Sequence, residues 1–174
     1  MKNESFRNWL VVGGLIRKDS DILLVANRRR GNLHLGRRGG IDWTPPGGVV
    51  DANEKVSDAL KREVFEETGI RASFYSEVIY EVSVSFLEWQ MLLNVEVFEA
   101  VEWSGSLVFN DPDEIVEDAD FFSPEQAEVK LETSPIWVRE PVLAYLKGEI
   151  PPEKSFNYVV KSDNGNNLIV ERKQ

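Results

Sequence analysis

Glu63, Glu66 and Glu67 stand at i, i+3 and i+4 within residues 48–70, GVVDANEKVSDALKREVFEETGI. At 3.6 residues per turn they project from one side of a helix, within an arc of roughly 100°. Like charges at these spacings cost a helix about 0.2–0.5 kcal/mol per pair, so three together call for positive charge nearby. A hard cation with oxygen ligands would supply it. The default for a glutamate-rich helix is a solvated face, since glutamate is a good helix former. The flanks argue otherwise. Arg62 lies four residues before Glu66 and can bridge to it. Gly69 sits where a helix C-terminus takes a left-handed residue, and Gly47 and Gly48 let the backbone approach a ligand closely.

The full pattern is Gly48, five residues, Glu54, seven residues, then Arg62, Glu63, Val64, Phe65, Glu66, Glu67, Thr68, Gly69 and Ile70. It resembles the Nudix box, G-x5-E-x7-R-E-U-x-E-E-x-G-U with U aliphatic, at every specified position. Upstream, Trp43-Thr44-Pro45-Pro46-Gly47-Gly48 is similar to the W-x-x-P-G-G entry that leads into the box. The resemblance implies an α/β fold, an α/β/α sandwich around a mixed β-sheet, and Mg²⁺-dependent hydrolysis of a diphosphate linkage, with Mn²⁺ able to substitute.

The resemblance implies that Glu66 and Glu67 are the principal metal ligands, that Glu63 is ligand or base, and that the Gly47 carbonyl completes an oxygen shell. Arg62 would orient carboxylates through charge-assisted hydrogen bonds, with Glu54 as its structural partner. Mg²⁺ neutralises charge in phosphoryl transfer and lowers the pKa of a bound water, so no nucleophilic side chain is needed. Asp113 and Glu114 are further candidates for the base, Glu114 preferred, against a reading of 111–113 as an acidic turn. The implied substrate is a nucleoside triphosphate, modified or oxidised ones included, or another nucleoside diphosphate derivative. ADP-ribose or a dinucleoside polyphosphate is the alternative. A non-catalytic nucleotide-sensing domain is the rival from another class, and loss of box carboxylates would mark it. Isomerisation of a prenyl diphosphate on this scaffold calls for a cysteine, and the chain has none.

Composition narrows the field independently. Within 174 residues the hydrophobic fraction is 42% and no linker composition appears, so residues 1–174 are expected to form a single domain. The lack of cysteine removes disulfides, thiolate metal sites and a cysteine nucleophile. No apolar run approaches a bilayer's thickness, and a cytoplasmic protein without a membrane partner is expected. A net charge of −10 opposes a duplex nucleic acid partner, which requires a broad basic surface. The same field repels nucleotides unless cations and local arginines draw them in. Five of the 20 basic residues cluster between residues 28 and 38: Arg28, Arg29, Arg30, Arg37 and Arg38. Arg28, Arg29 and Arg38 are the substrate-binding candidates, against a reading as solvated loop residues; a guanidinium forks well onto a phosphate. His34 reads as a loop contact, and Trp43 and Trp89 as packing rather than base-stacking residues. The composition leaves a homodimer open.

The elements that must position these groups follow from periodicity. Residues 9–16 and 22–26 read as a hairpin across Lys18-Asp19-Ser20-Asp21. Residues 27–41 form a long arginine- and glycine-rich loop, and Val49-Val50 a short strand. The box helix runs to Thr68 from a start near Asn53 or Lys55, with Leu60 and Val64 facing inward. Strands follow at 72–86, 90–101 and 115–122. Pro124 behind Ser123 opens a helical turn, a helix spans 136–146 and closes at Gly148, and a C-terminal hairpin covers about 156–171.

Overall fold

The computed structural model describes residues 6–28, 40–108, 116–163 and 168–173. Its strands are β1 (Arg7–Lys18), β2 (Asp21–Arg28), β3 (Ile41–Thr44), β4 (Gly47–Val49), β5 (Arg71–Phe86), β6 (Met91–Ser104), β7 (Val116–Phe122), β8 (Ser155–Ser162) and β9 (Leu168–Lys173). The helices are α1 (Val56–Thr68), α2 (Pro124–Leu131) and α3 (Ile136–Lys147). The strands form a mixed sheet in the order β3-β2-β1-β6-β5-β8-β9, with β4 added to β1 and β7 to β2. The α/β/α layering expected from the box is present: α2 and α3 cover one side, and α1 covers the other.

The expected β1–β2 hairpin survives only at its turn. Arg17 pairs with Ile22 and Lys18 with Asp21, and the strands then part. From Arg7 to Ile16, β1 runs parallel to β6, and its residues Val11, Val12 and Gly13 take β4 on the opposite edge. β2 instead pairs with β3 and β7. The apolar run of β1 is buried on both faces, which is why it reads as continuous rather than alternating.

Two cores result. Leu15, Tyr80, Val82, Val97, Phe156 and Tyr158 pack beneath α2 and α3. Leu60 and Val64 of α1 join Val12, Ile16, Leu23 and Ile70 in the second. Leu60 and Val64 are 1% and 0% exposed, as their i, i+4 spacing requires. Trp43 is buried edge-on against Phe122, and Trp89 packs on Phe86, so both tryptophans are packing residues.

α1 begins one residue after its Lys55 cap, which offers no side-chain hydrogen bond; the Lys55 carbonyl accepts from Asp58 and Ala59. The helix ends on Gly69 at φ 76°, whose N–H donates to the Phe65 carbonyl. α2 carries the capping box that Ser123 and Pro124 announce: Gln126 N–H donates to Ser123 Oγ, and Ser123 N–H to Gln126 Oε1. No helix among the described residues is long and apolar enough to cross a membrane.

Candidate active site

The site forms where α1 lies along β4. Gly14 N–H donates to the Pro46 carbonyl at 2.8 Å, and Val50 N–H to the Leu10 carbonyl at 2.9 Å. Residues 46, 48 and 50 therefore bond toward β1, and the antiparallel alternation turns the polar groups of Gly47 and Val49 to the other edge. There Gly47 N–H donates to Glu67 Oε2 at 2.8 Å, and the Val49 carbonyl accepts from Arg62 at 3.2 Å. The Gly47 carbonyl belongs to this same edge.

The two glycines make room for different things. A Cβ on Gly47 would stand 2.0 Å from the Val12 carbonyl oxygen, whereas one on Gly48 would stand 2.4 Å from the carboxylate of Glu63. Gly47 allows β4 to dock on β1. Gly48 gives the Glu63 carboxylate its place on the strand.

Arg62 organises the remaining acids. Its Nε and Nη2 fork onto the two oxygens of Glu54 at 2.9 Å each. Its Nη1 donates to Glu63 at 2.7 Å and to Glu66 at 3.3 Å. The fork holds the Glu54 carboxyl down at about 2, with the Asp51 N–H adding a further hydrogen bond, and it raises the Arg62 guanidinium above its ordinary value. Glu54 thus acts as the fixed end of the network, the structural role implied for it. Glu63, Glu66 and Glu67 lie on one side of α1, as their spacing requires; Glu67 is buried and Glu66 keeps 30% of its side chain exposed.

The donor set suits a hard cation: three carboxylates on one helical face beside a strand carbonyl, all oxygen. As placed, Glu63 and Glu66 turn to Arg62 and Glu67 turns to Gly47, and no three carboxylates among the described residues converge on one point. The 3.3 Å contact is the longest of the Arg62–carboxylate hydrogen bonds, so Glu66 is the side chain most readily released toward an ion.

Beside this edge, on the α3 side of the sheet, lies a cavity of about 260 Å³. Gly47 and Pro45 line its end near the box, Val82, Val95 and Trp137 form much of its wall, and Asn27 and Thr44 contribute polar groups. Sequence reasoning missed both, because a polar residue ending an apolar strand carries no signal beyond that of a strand end.

Arg28, expected at the phosphates, is held by Glu117 of β7 through its Nε. The expected contributions of Arg29, Arg38, His34, Asp113 and Glu114 fall outside the described residues.

The family model for the NUDIX domain matches residues 6–145. The chain belongs to the NUDIX family. An ADP-ribose pyrophosphatase from Methanocaldococcus jannaschii is 39% identical over 61 residues, which is 35% of this chain and 32% of that protein. The match thus spans about a third of the relative's length. The MutT NUDIX hydrolase of Burkholderia pseudomallei is similar over 69% of this chain and 86% of its own, at 28% identity and a TM-score of 0.56. A NUDIX hydrolase from Nitrosomonas europaea shares the fold at a TM-score of 0.66 and 21% identity, over 82% of this chain and 91% of its own.

Proposed function

We propose that the protein is a cytoplasmic pyrophosphohydrolase that cleaves a diphosphate linkage in a nucleoside triphosphate, modified or oxidised ones included, or in another nucleoside diphosphate derivative. The observation that carries this reading is the intact box seated against β4, with Arg62 binding Glu54, Glu63 and Glu66 while Glu67 takes the Gly47 N–H. Mg²⁺, or Mn²⁺ in its place, would be held by Glu63, Glu66, Glu67 and the Gly47 carbonyl. When bound it supplies charge neutralisation on the diphosphate and a water of lowered pKa.

The chain's own groups do the positioning. Arg62 fixes the rotamers of Glu63 and Glu66, and α1 is a rigid platform for them, so orientation and electrostatics carry the rate. The base is Glu63 or, from the loop before β7, Glu114. Arg28 reaches a phosphate by exchanging Glu117 for it; Arg29 and Arg38 are its proposed companions. The cavity beside Gly47 receives the heterocycle of the nucleoside. A second reading, ADP-ribose as substrate, is favoured by the name of the M. jannaschii relative. The sensing rival is disfavoured because no box carboxylate is missing.

The test is a hydrolysis panel with Mg²⁺ or Mn²⁺ over canonical and oxidised nucleoside triphosphates, ADP-ribose and diadenosine polyphosphates. Metal-dependent turnover of at least one, lost in Glu66→Gln, is expected. Nucleotide binding without turnover would hand the chain to the sensing class.

A further inference from the structure

The cavity beside Gly47 contains a polar group whose partner is missing. Asn27 Nδ2 donates to Thr44 Oγ1 at 2.8 Å, while Asn27 Oδ1 is buried and accepts from no group among the described residues. An acceptor left in that state is unfavourable unless something else supplies the donor. The backbone holds it there firmly. β2 lies between β3 and β7, where Asn27 pairs with Asp42 and Val116, and Glu117 is the extra residue on β7 where the register shifts opposite Ala26 and Asn27.

The space around it limits what the donor belongs to. At about 260 Å³ the cavity is below the range of about 300–1,000 Å³ usual for drug-sized ligands, so it takes one heterocycle rather than a whole nucleotide. Its wall is mainly valine, leucine and tryptophan, and its Gly47 end meets the strand edge whose Gly47 N–H binds Glu67 of α1. A ring seated here has its phosphates directed toward α1.

We propose that Asn27 is a specificity-determining residue: its Oδ1 accepts a hydrogen bond from an amino group on the ligand's heterocycle, so that amino-bearing nucleotides are preferred over isosteres lacking that donor. Thr44 is the positioning residue that anchors the amide at the cavity wall. The inference rests on the pyrophosphohydrolase reading and refines its substrate class. A pocket built around one buried hydrogen-bonding group discriminates chiefly by leaving that group unpaired with the wrong ligand.

The experiment compares kcat/KM for two pairs, ATP against purine riboside triphosphate and GTP against ITP, each differing by one amino group. Wild type should favour the amino member of at least one pair by about 10- to 100-fold. Asn27→Leu should bring that ratio to within about 3-fold, while Asn27→Asp, whose oxygens both accept, should retain it. Asn27→Ser withdraws the carbonyl, keeps a polar residue and should match the leucine variant, which it replaces if Asn27→Leu does not fold. A structural role alone would lower all four values together and leave the ratio unchanged. Equal rates within both pairs for wild type, or a wild-type ratio in the leucine or serine variant, overturns the assignment to Asn27 alone. Turnover of none of the four by a folded wild-type chain that hydrolyses another member of the panel above overturns the Asn27 assignment alone, and turnover of nothing in that panel overturns it together with the pyrophosphohydrolase reading.

Discussion

Two arginine–glutamate networks sit at opposite ends of the sheet. Arg172 on β9 binds Glu140 of α3 and stands 5.1 Å from the Phe156 ring, while Tyr158 donates its hydroxyl to the other Glu140 oxygen at 2.7 Å. One guanidinium meets one carboxylate, and both of its oxygens are used; the group ties α3 to β8 and β9. Arg62 meets three carboxylates, Glu54, Glu63 and Glu66. Asp51 stands a further 4.0 Å from the same guanidinium, so acids outnumber it in this group. Balanced charge holds a fold together, whereas a fixed surplus of oxygen ligands is what a cation needs. On the proposed function, the Arg62 group is the chemical network and the Arg172 group a structural one.

The difference can be broken first at Glu66. Glu66→Gln should lower kcat by about 10³-fold or more with its melting temperature nearly unchanged, measured by phosphate or pyrophosphate release. The adjacent glycines sharpen the contrast. Gly48→Ala pushes a flexible carboxylate aside and should lower kcat by about 10²-fold with little loss of stability. Gly47→Ala drives a Cβ into the Val12 carbonyl and should cost about 1–3 kcal/mol in urea unfolding. In the far network, Tyr158→Phe should cost about 1–2 kcal/mol and leave the kinetics as they are, since a hydrogen bond to a charged group is lost far from the box.

The smallest effect is electrostatic. Glu54 has its carboxyl lowered from 4.5 to about 2, so ionised Glu54 favours the folded state above its unfolded pKa, and that contribution fades as pH falls toward 2. The stability gap between wild type and Glu54→Gln should be flat above about pH 5 and close between about pH 4.5 and 2. A gap that stays constant down to pH 2 would place the Glu54–Arg62 pair outside the network.

The chemical network was more legible in the sequence than the scaffold around it. Carboxylate spacing, the inward face at Leu60 and Val64, and the Gly69 cap are local features fixed by helical geometry. The start of α1 was not legible, because Lys55 caps through its backbone alone and leaves no side-chain signature. Nor was the parting of β1 from β2: both runs are apolar, and the choice of β6 as partner depends on contacts some 84 residues away, such as Arg7 with Met91. Arg28 looked free for phosphate, yet Glu117, 89 residues on, holds it. Asn27 escaped notice because its meaning arises from a cavity assembled from β1 to β6 and α3.

Mn²⁺ titration followed by electron paramagnetic resonance, in the presence of a non-hydrolysable nucleotide, tests the surplus-charge claim most directly. Wild type and Glu140→Gln should bind the ion alike, and Glu66→Gln should bind it at least about 10-fold more weakly. Equal affinity in all three would show that the carboxylates gathered by Arg62 are not where the metal goes.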